Sequence, residues 1–556
     1  MNSLRLYFLN WHTFWSFILL LSLLWSLQVA GVFQGDLINT GGITLVLRFL
    51  AAATSPEISP EFLRLTLNAT LTTLAFATCG TFLSLLIGMI GGLFSSQVWW
   101  HCLFPNNSSA PWLLVRGILA IPRSIHEAIW GLFFVNIFGL DPLVAIGAIA
   151  LPFGAITAKV FAEILDETSP QALQSLLGSG VAPLPAFLYS LIPQAFLNLL
   201  SYAFYRFECS IRSAAVLGII GAGGLGYEIL LSLQALNYQQ MWTFLIALIL
   251  LTGSVDLWSS LLRRSLDAPT RLDLHFLSFK KTQTSYFRER KSYLTIFSIL
   301  GTVSLIIFSF WYIKADFSQL CSPRTINNLI TIVTDAFPPN FSQFSSLWKL
   351  AQQTLAMSVL AIVIAGAGGI LLSFTAANNL FLPGGVFNPV KSYKLLPLFL
   401  LISTRFILLL TRAVPEPIWA LIFLFGFFPG ILPGGIALGL HNLGILGRLM
   451  AEVIENLDQR PLKSLSALGA TSGQVFLYGI LPLTLPRFLA YILYRWEVCI
   501  RATVIVGLVG AGGLGRLLTE QLSNFDYPSV VTILIVFIIL TFVVDLVSAS
   551  ARQTLR

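Results

Sequence analysis

The sequence predicts an all-α polytopic membrane protein with twelve transmembrane helices, arranged as two parallel six-helix repeats. Of its 556 residues, 56% are hydrophobic and only 10% are charged, with mean hydropathy +0.83. That is more apolar surface than a soluble core can hide. The apolar residues gather in stretches long enough to cross a hydrocarbon core of about 30 Å, and the whole pattern occurs twice.

The duplication sets the domain boundaries. A shift of 289 positions superposes Arg123, Glu127 and Trp130 on Arg412, Glu416 and Trp419, Glu163 on Glu452, and Gly180 on Gly469. The same shift relates Tyr189 and Pro193 to Tyr478 and Pro482, then Arg206, Glu208 and Arg212 to Arg495, Glu497 and Arg501, and finally Asp256 to Asp545. A constant offset over this length marks a tandem duplication. The expected units are 1–262 and 292–556, joined by a basic linker, 263–291.

In the first unit the apolar stretches fall at 10–33, 67–94, 112–138, 142–162, 195–220 and 240–262. Their counterparts are 292–313, 349–375, 396–428, 431–453, 484–509 and 528–549. The first stretch, WHTFWSFILLLSLLWSLQVA, has the apolar run of a signal peptide. Its counterpart lies in mid-chain, so a retained span is expected. Six spans per unit return both termini and the linker to one side. With that side cytoplasmic, about 15 Lys and Arg lie inside against about 5 outside, as the positive-inside rule requires. The segment FAEILDETSPQALQSLLGSG carries neither residue type, so the linker RRSLDAPTRLDLHFLSFKKTQTSYFRERK decides the orientation. The expectation is a multi-pass protein of the inner (plasma) membrane, surrounded by lipid, with both termini cytoplasmic. A basic stretch between two membrane blocks is read as this linker, so no nucleic-acid partner is expected.

Several chemistries are excluded by context. GAGGLG occurs at 221–226 and 510–515, placing glycine at Gly221, Gly223, Gly224 and Gly226, and at Gly510, Gly512, Gly513 and Gly515. The spacing is that of a dinucleotide fingerprint, which needs a strand before it and a βαβ unit around it. Here it ends a long apolar run, IRSAAVLGII, and predicts a tight turn or close helix packing at the outer end of the fifth span, near the gate. The five cysteines and five histidines are scattered without metal-ligand spacing, so no metal site is expected. No Gly-Lys dipeptide occurs, so the chain has no phosphate loop, and no cofactor is expected in it.

Between the fourth and fifth spans lie FAEILDETSPQALQSLLGSGVAPLPAFLYSLIP in the first unit and MAEVIENLDQRPLKSLSALGATSGQVFLYGILP in the second. Each has a glycine followed 13 residues later by proline: Gly180 to Pro193, and Gly469 to Pro482. This resembles the cytoplasmic loop of ATP-binding-cassette (ABC) importer permeases, whose pattern is EAA, three residues, Gly, then I-x-LP. The stretches YRFECSIRSAAVLGIIGAGGLG and YRWEVCIRATVIVGLVGAGGLG are similar to the phosphonate permease family, with phosphite and phosphate importers as close relatives. The resemblance covers nearly all of both units and implies a type I ABC importer permease fold. It also implies a transport role without covalent chemistry, two copies of an ABC ATPase that bind ATP and Mg, and an extracytoplasmic binding protein. Family members usually carry one unit and dimerise, so this fused chain is expected to replace the dimer. The residues that the resemblance assigns to ATPase coupling are Glu163, Gln174, Gly180 and Pro193, with Glu452, Lys463, Gly469 and Pro482. The chain departs from the family where EAA is expected: it has Gln174-Ser175-Leu176 and Lys463-Ser464-Leu465.

Charges inside spans are the remaining candidates, since each costs roughly 2.5–3.5 kcal/mol at the membrane centre. Arg123 and Glu127, like Arg412 and Glu416, are four apart and expected on one helix face. In the fifth span Glu208 can reach Arg212 one turn later, whereas Arg206 is two residues away and points elsewhere; Arg495, Glu497 and Arg501 repeat this. Each unit then has one arginine in excess over its glutamates, as an anion path needs. Arg206 and Arg495 are assigned to that path, and the Glu208–Arg212 and Glu497–Arg501 pairs to helix packing; the competing reading makes all of these packing pairs. Two other functions fit twelve spans: a gradient-driven secondary transporter with carboxylates relaying protons, and an ABC permease for another small solute.

Overall fold

The computed structural model describes residues 11–33, 35, 37–104, 110–266, 293–342, 344–381, 385 and 395–554. From residue 267 onward the linker lies outside them. Every expected span coincides with a helix or a bent helix pair. Among the described residues, nine helices are long and apolar enough to cross a membrane, and the pair Pro111–Ser124 with Glu127–Phe138 makes ten. The first span expected in each repeat falls on Trp11–Val29 and Tyr293–Ile313, whose apolar portions, Phe17–Val29 and Phe297–Ile313, are shorter than those ten.

One compact unit comprises Ser55–Ile330. Its second and fourth spans, Pro60–Ser95 and Pro142–Glu167, pack along their length. Small residues permit this closeness: a Cβ added at Gly88 would lie 2.5 Å from Thr157 Cγ2, and one at Gly92 2.8 Å from Phe161 Cβ. In lipid, where burial of apolar surface provides no drive between helices, such close backbone approach is what holds them. Phe76, Ile146, Ile149, Phe153, Ile211 and Leu217 form the core beside them. Helix Tyr293–Ile313 packs onto the outside of Pro60–Ser95: Phe310 meets Phe82 edge-on at 5.9 Å, and the Tyr312 hydroxyl donates to Asn68 O at 3.5 Å.

The other unit comprises Met1–Thr54 with Thr331–Arg556. Helix Trp11–Val29 packs on the second span of the second repeat, Phe344–Ala376. Helix Thr40–Ala52 packs on Glu416–Gly426, with Gly42 so close that a Cβ there would lie 1.6 Å from Phe425 O. Asn39 N–H donates to Gly426 O at 3.0 Å, and its side chain caps the helix through Gly42 N–H. The leading helix of each sequence repeat thus packs with the body of the other repeat. Phe344–Ala376 and the fourth span Ile431–Glu455 repeat the small-residue contact, with Gly368 against Leu443 and Gly439 against Ile364.

The third span is not one helix. In the first repeat it bends by 84° between Ser124 and Glu127, with His126 in extended conformation as the N-cap of the second segment. In the second repeat Leu395–Ala413 stops and Glu416–Gly426 begins. Pro415 lacks an N–H and disfavours helical geometry at Val414, which explains that break. Each break frees carbonyls that need donors. The indoles of Trp130 and Trp419 serve them, donating to Pro122 O at 3.2 Å and Thr411 O at 3.3 Å.

Candidate translocation site

The fifth span of the first repeat, Pro183–Leu217, has 35 residues, a length of about 52 Å. It therefore extends well beyond a hydrocarbon core and separates the loop at one end from GAGGLG at the other. It begins ten residues before Pro193, which lies inside the helix. Pro482 stands instead in the first turn of Leu481–Val506, after a π-helical turn at Phe476–Ile480.

The loops form the expected short helices, Gln171–Gly178 and Gln459–Ala467. Gly180 (φ +81°) and Gly469 (φ +89°) terminate them in the left-handed region. The closing bonds run from Val181 N–H to Leu176 O (3.1 Å) and from Ala470 N–H to Leu465 O (3.2 Å), the pattern of a glycine-stopped helix. A single leucine anchors each, Leu173 or Leu462, both essentially buried. Leu173 sits among Trp99, Phe161, Ile164 and Phe187. The outward faces differ: Gln171, Gln174 and Ser175 are neutral, whereas Arg460 and Lys463 are basic. Beside them Tyr189 and Tyr478 are 82% and 76% exposed. Glu163 and Glu452 brace the fourth spans one turn from Lys159 (3.7 Å) and Arg448 (2.9 Å). A second mirrored pair ties third to fourth span: Arg116 to Asp166 at 3.0 Å, and Arg405 to Glu455.

The breaks undo the expected pairing face in the third span, because Arg123 ends one segment and Glu127 starts the next, as do Arg412 and Glu416. Glu127 accepts from Ser213 Oγ on the fifth span at 2.6 Å and lies 3.0 Å from His126 Nδ1. Glu416 lies 3.3 Å from His441 Nε2 on the fourth span.

The fifth-span glutamates are tied to the sixth spans. Glu208 accepts from Ser259 Oγ (2.5 Å) and Arg263 Nη2 (3.4 Å). Glu497 accepts from Arg552, which also donates to Ser548 at 2.8 Å. Ser259 and Arg263 are related to Ser548 and Arg552 by the repeat offset. Arg212 donates to Cys209 Sγ (3.3 Å) and Arg501 to the backbone oxygen of Glu497 (3.0 Å). Arg206 is buried, donates twice to the Tyr202 hydroxyl (3.0 and 2.9 Å) and lies over the Phe153 ring at 4.7 Å. Arg495 donates to Asn442 Oδ1. Among the described residues, both arginines are held by neutral groups. Arg206 is 11 residues short of Leu217, about 17 Å along the helix from the glycine turn.

At GAGGLG the chain reverses. Gly221, Gly223 and Gly224 have φ of +105°, +94° and +78°, and Gly510, Gly512 and Gly513 follow closely. The next helix folds back so tightly that a Cβ on Gly226 would lie 1.8 Å from Ala215 O, and one on Gly515 2.5 Å from Val504 O. Its first free N–H groups find a threonine on the second span: Leu225 donates to Thr73 Oγ1 (2.8 Å) and Leu514 to Thr354 Oγ1 (2.9 Å). Turn and close packing are both present, twice.

The sequence matches the family described as binding-protein-dependent transport system inner membrane component over residues 106–271 and again over 399–556. The chain belongs to that family. It is a membrane permease with two such domains, which sets aside the gradient-driven secondary transporter. It is similar to the phosphate-import permease protein PhnE of Mycolicibacterium smegmatis, with 25% identity over 80% of this chain and 78% of that one. The phosphite transport system permease protein PtxC of Stutzerimonas stutzeri is 34% identical over 46% of this chain and 88% of its own. The putative cryptic phosphonate transport system permease protein PhnE2 of Escherichia coli is 33% identical over 21% of this chain and 97% of its own. No solved structure matches.

Within this permease, sequence reasoning missed Ser259, Arg263, Ser548 and Arg552, although the repeat offset relates them. It also missed His441 and Asn442, where the offset gives Pro152 and Phe153. For those two the repeat offers no clue.

Proposed function

We propose that the chain is the complete membrane-spanning part of an ATP-driven importer of phosphorus oxyanions: phosphonate, phosphite or phosphate. The observation that carries this reading is the mirrored pair Arg206 and Arg495, guanidinium groups in the membrane with neutral partners. Carboxylates elsewhere in the fifth span have arginines of the sixth span against them, so these two remain to attract an anion. A guanidinium keeps its charge at any working pH and its fork matches phosphoryl oxygens. Aromatic and amide partners hold it in place without cancelling its charge. The names of the three relatives given above, of phosphate, phosphite and phosphonate systems, support the same substrate class.

In this reading an extracytoplasmic binding protein delivers the anion beside GAGGLG. Two copies of an ATPase, carrying ATP and Mg, dock on the loop helices at Leu173 and Leu462. Both termini are cytoplasmic, and the fused repeats stand in for a permease dimer. ATPase closure draws the loops together, and the rigid fifth helices transmit the movement to the outer turns; hydrolysis resets them. GAGGLG gives the outer end of each helix a sharp, closely packed corner that moves with the gate.

The test is uptake into proteoliposomes of the chain with its ATPase and binding protein, with and without internal ATP. Uptake of one of the three anions that requires all components supports the reading. Arg206→Gln with Arg495→Gln is expected to abolish uptake while leaving the protein folded and ATPase-bound. Unchanged uptake by that variant would overturn the path assignment.

A further inference from the structure

The second, third and fourth spans of each repeat meet in a polar cluster at the end that carries the loop helix. In the first repeat Arg116, on the first segment of the third span, donates through Nε to the oxygen of Ser95, the last residue of the second span, at 2.9 Å. Through Nη2 it donates to Asp166 Oδ2, in the last turn of the fourth span, at 3.0 Å. Asp166 Oδ1 accepts from Ser96 Oγ (2.6 Å) and from Val98 N–H (3.2 Å), just past the end of the second span. One ion pair thus serves a carbonyl at a helix end and an amide at the next helix start, two groups that have no partner within their own helices.

The second repeat builds the same cluster. Arg405 donates through Nε to the oxygen of Ala376, again the last residue of the second span, at 3.0 Å. Through Nη2 it donates to Glu455, which also accepts from Asn378 N–H at 3.0 Å. The arginines and acids keep the offset of 289, but Ser95 and Ala376 are 281 apart, as are Thr73 and Thr354. The connection from second to third span is therefore eight residues longer in the second repeat, the difference between these offsets. The cluster closes across both connections, with Asp in one repeat and Glu in the other, so it is not the by-product of one local turn. It also leads somewhere in both directions. Asp166 stands five residues before the loop helix Gln171–Gly178, and Trp99, from the short helix that begins beside Asp166, lies in the same buried cluster as Leu173 and meets Phe187 edge-on at 5.2 Å. On the other side Arg116 is eight residues from Ser124 at the elbow, about 12 Å along the helix. Beyond the elbow Glu127 accepts from Ser213 Oγ on the fifth span at 2.6 Å.

We propose that Arg116 with Asp166, and Arg405 with Glu455, are coupling clasps: positioning residues that make each loop helix and the first segment of the third span move as one body. A push at the loop then reaches the elbow instead of being lost as sliding between spans. The coupling clause rests on the reading above, in which an ATPase docks on the loop helices. The path is a chain of packed side chains and charge-assisted hydrogen bonds. The side chains of the first clasp are 32% and 18% exposed and those of the second 30% and 22%, so each pair avoids the cost of full burial and is less weakened by water than a fully exposed pair. The close packing of the second span on the fourth at Gly88 and Gly92 does not involve the clasp. The unit should therefore fold without it, which separates the clasp from the fold.

Two measurements test this. Asp166→Asn keeps an acceptor for Ser96 and Val98 and removes the charge that holds Arg116. In proteoliposomes of the complete transporter it is expected to hydrolyse ATP near the parent rate while importing about fivefold fewer anions per ATP. Asp166→Glu, the acid that the second repeat uses, should restore the ratio, and Glu455→Gln should repeat the loss in the other unit. A pair that only holds the fold would lower folded protein, hydrolysis and uptake together; an unchanged ratio would overturn the coupling clause. The second measurement needs no transported anion. Spin-labelled unnatural amino acids replace Ala172 on the loop helix and Ile121 on the third-span segment, both exposed. Their separation in lipid nanodiscs, read by double electron–electron resonance, should be one narrow distance in the parent, with or without the ATPase, and should broaden in Asp166→Asn. A broad distribution in the parent, or a narrow one in the variant, would refute the clasp itself. Should Asp166→Asn fail to fold, Glu455→Gln with labels at Ser464 and Ile407, also exposed, carries the same test. Absence of any oxyanion uptake by the parent overturns the substrate reading instead, and leaves the distance measurement to decide the clasp.

Discussion

Neutralising Glu208 separates the arginine that holds helices from the arginine that serves an anion. Glu208 is 7% exposed and Arg263 8% exposed, with Ser259 donating to the same carboxylate oxygen. Glu208→Gln keeps the shape but leaves the Arg263 guanidinium buried without this counter-charge, and breaking a buried pair in this way costs about 3–5 kcal/mol. Arg263→Met alone takes the guanidinium away from the buried carboxylate and is expected to cost a similar amount. Removing both charges together, Glu208→Gln with Arg263→Met, leaves an amide that still accepts from Ser259 and an apolar chain that fills the volume. Replacing a buried pair by groups of like size is often close to neutral. Working through the cycle, the double variant is expected within about 1 kcal/mol of the parent, far less than the sum of the singles. Denaturation of the purified protein in lipid nanodiscs measures all three, and uptake by the reconstituted transporter is read on the same samples. The double variant should transport. Additive losses would show that Glu208 and Arg263 are not coupled, and loss of uptake in a stable double variant would place Glu208 in the path.

Gly226→Ala puts a methyl group 1.8 Å from a backbone oxygen, so folded protein should fall sharply in yield and melting temperature. Gly117→Ala, with open space around it inside a helix, should raise stability by about 0.5–1 kcal/mol. Thr73→Val removes the acceptor for Leu225 N–H and is expected to cost about 1–3 kcal/mol, readable as a lower melting temperature with the helix content unchanged in circular dichroism. Gly180→Ala meets no atom but must adopt φ +81°, a cost of about 1–2 kcal/mol; the expected result is fewer anions imported per ATP hydrolysed, with Gly180→Asn affected less. Because only the second loop helix is basic, ATPase association should weaken as salt rises, and Arg460→Gln with Lys463→Gln should remove much of that dependence in a co-purification series.

The spans were legible because length and apolarity are local properties of the sequence, and the loop helices because glycine has a stereochemical reason to stop a helix. The elbow at Pro415 has a visible cause. Its partner at Ser124–His126 has neither proline nor glycine, and the extended backbone at His126 is held by the structure around it. The single helical face expected for Arg123 and Glu127 is lost because the chain between them is not continuously helical. It overlooked Arg263 because a carboxylate in lipid recruits whichever donor the neighbouring helix brings, here 55 residues away. Both sixth-span arginines were nonetheless related by the offset, so a search for repeated charges without local partners would have found them. Nothing in the apolar letters of Trp11–Val29 names the helix it packs on.

That last packing has a temporal side. Trp11–Val29 enters the membrane with its packing surface, Phe344–Ala376, 315 residues behind it in the chain. At about 5–20 residues per second, synthesis leaves it waiting for roughly 15–60 s. During that interval it must be stable as a lone helix among lipids, which its run of leucine and phenylalanine permits. A nascent chain halted after the first repeat would hold a leading helix with no seat and a second span with no cover. Quality control can therefore read completion of the whole chain from whether these two helices have found their places, and two separately made halves could reach the same end state only by meeting in one membrane before either is degraded.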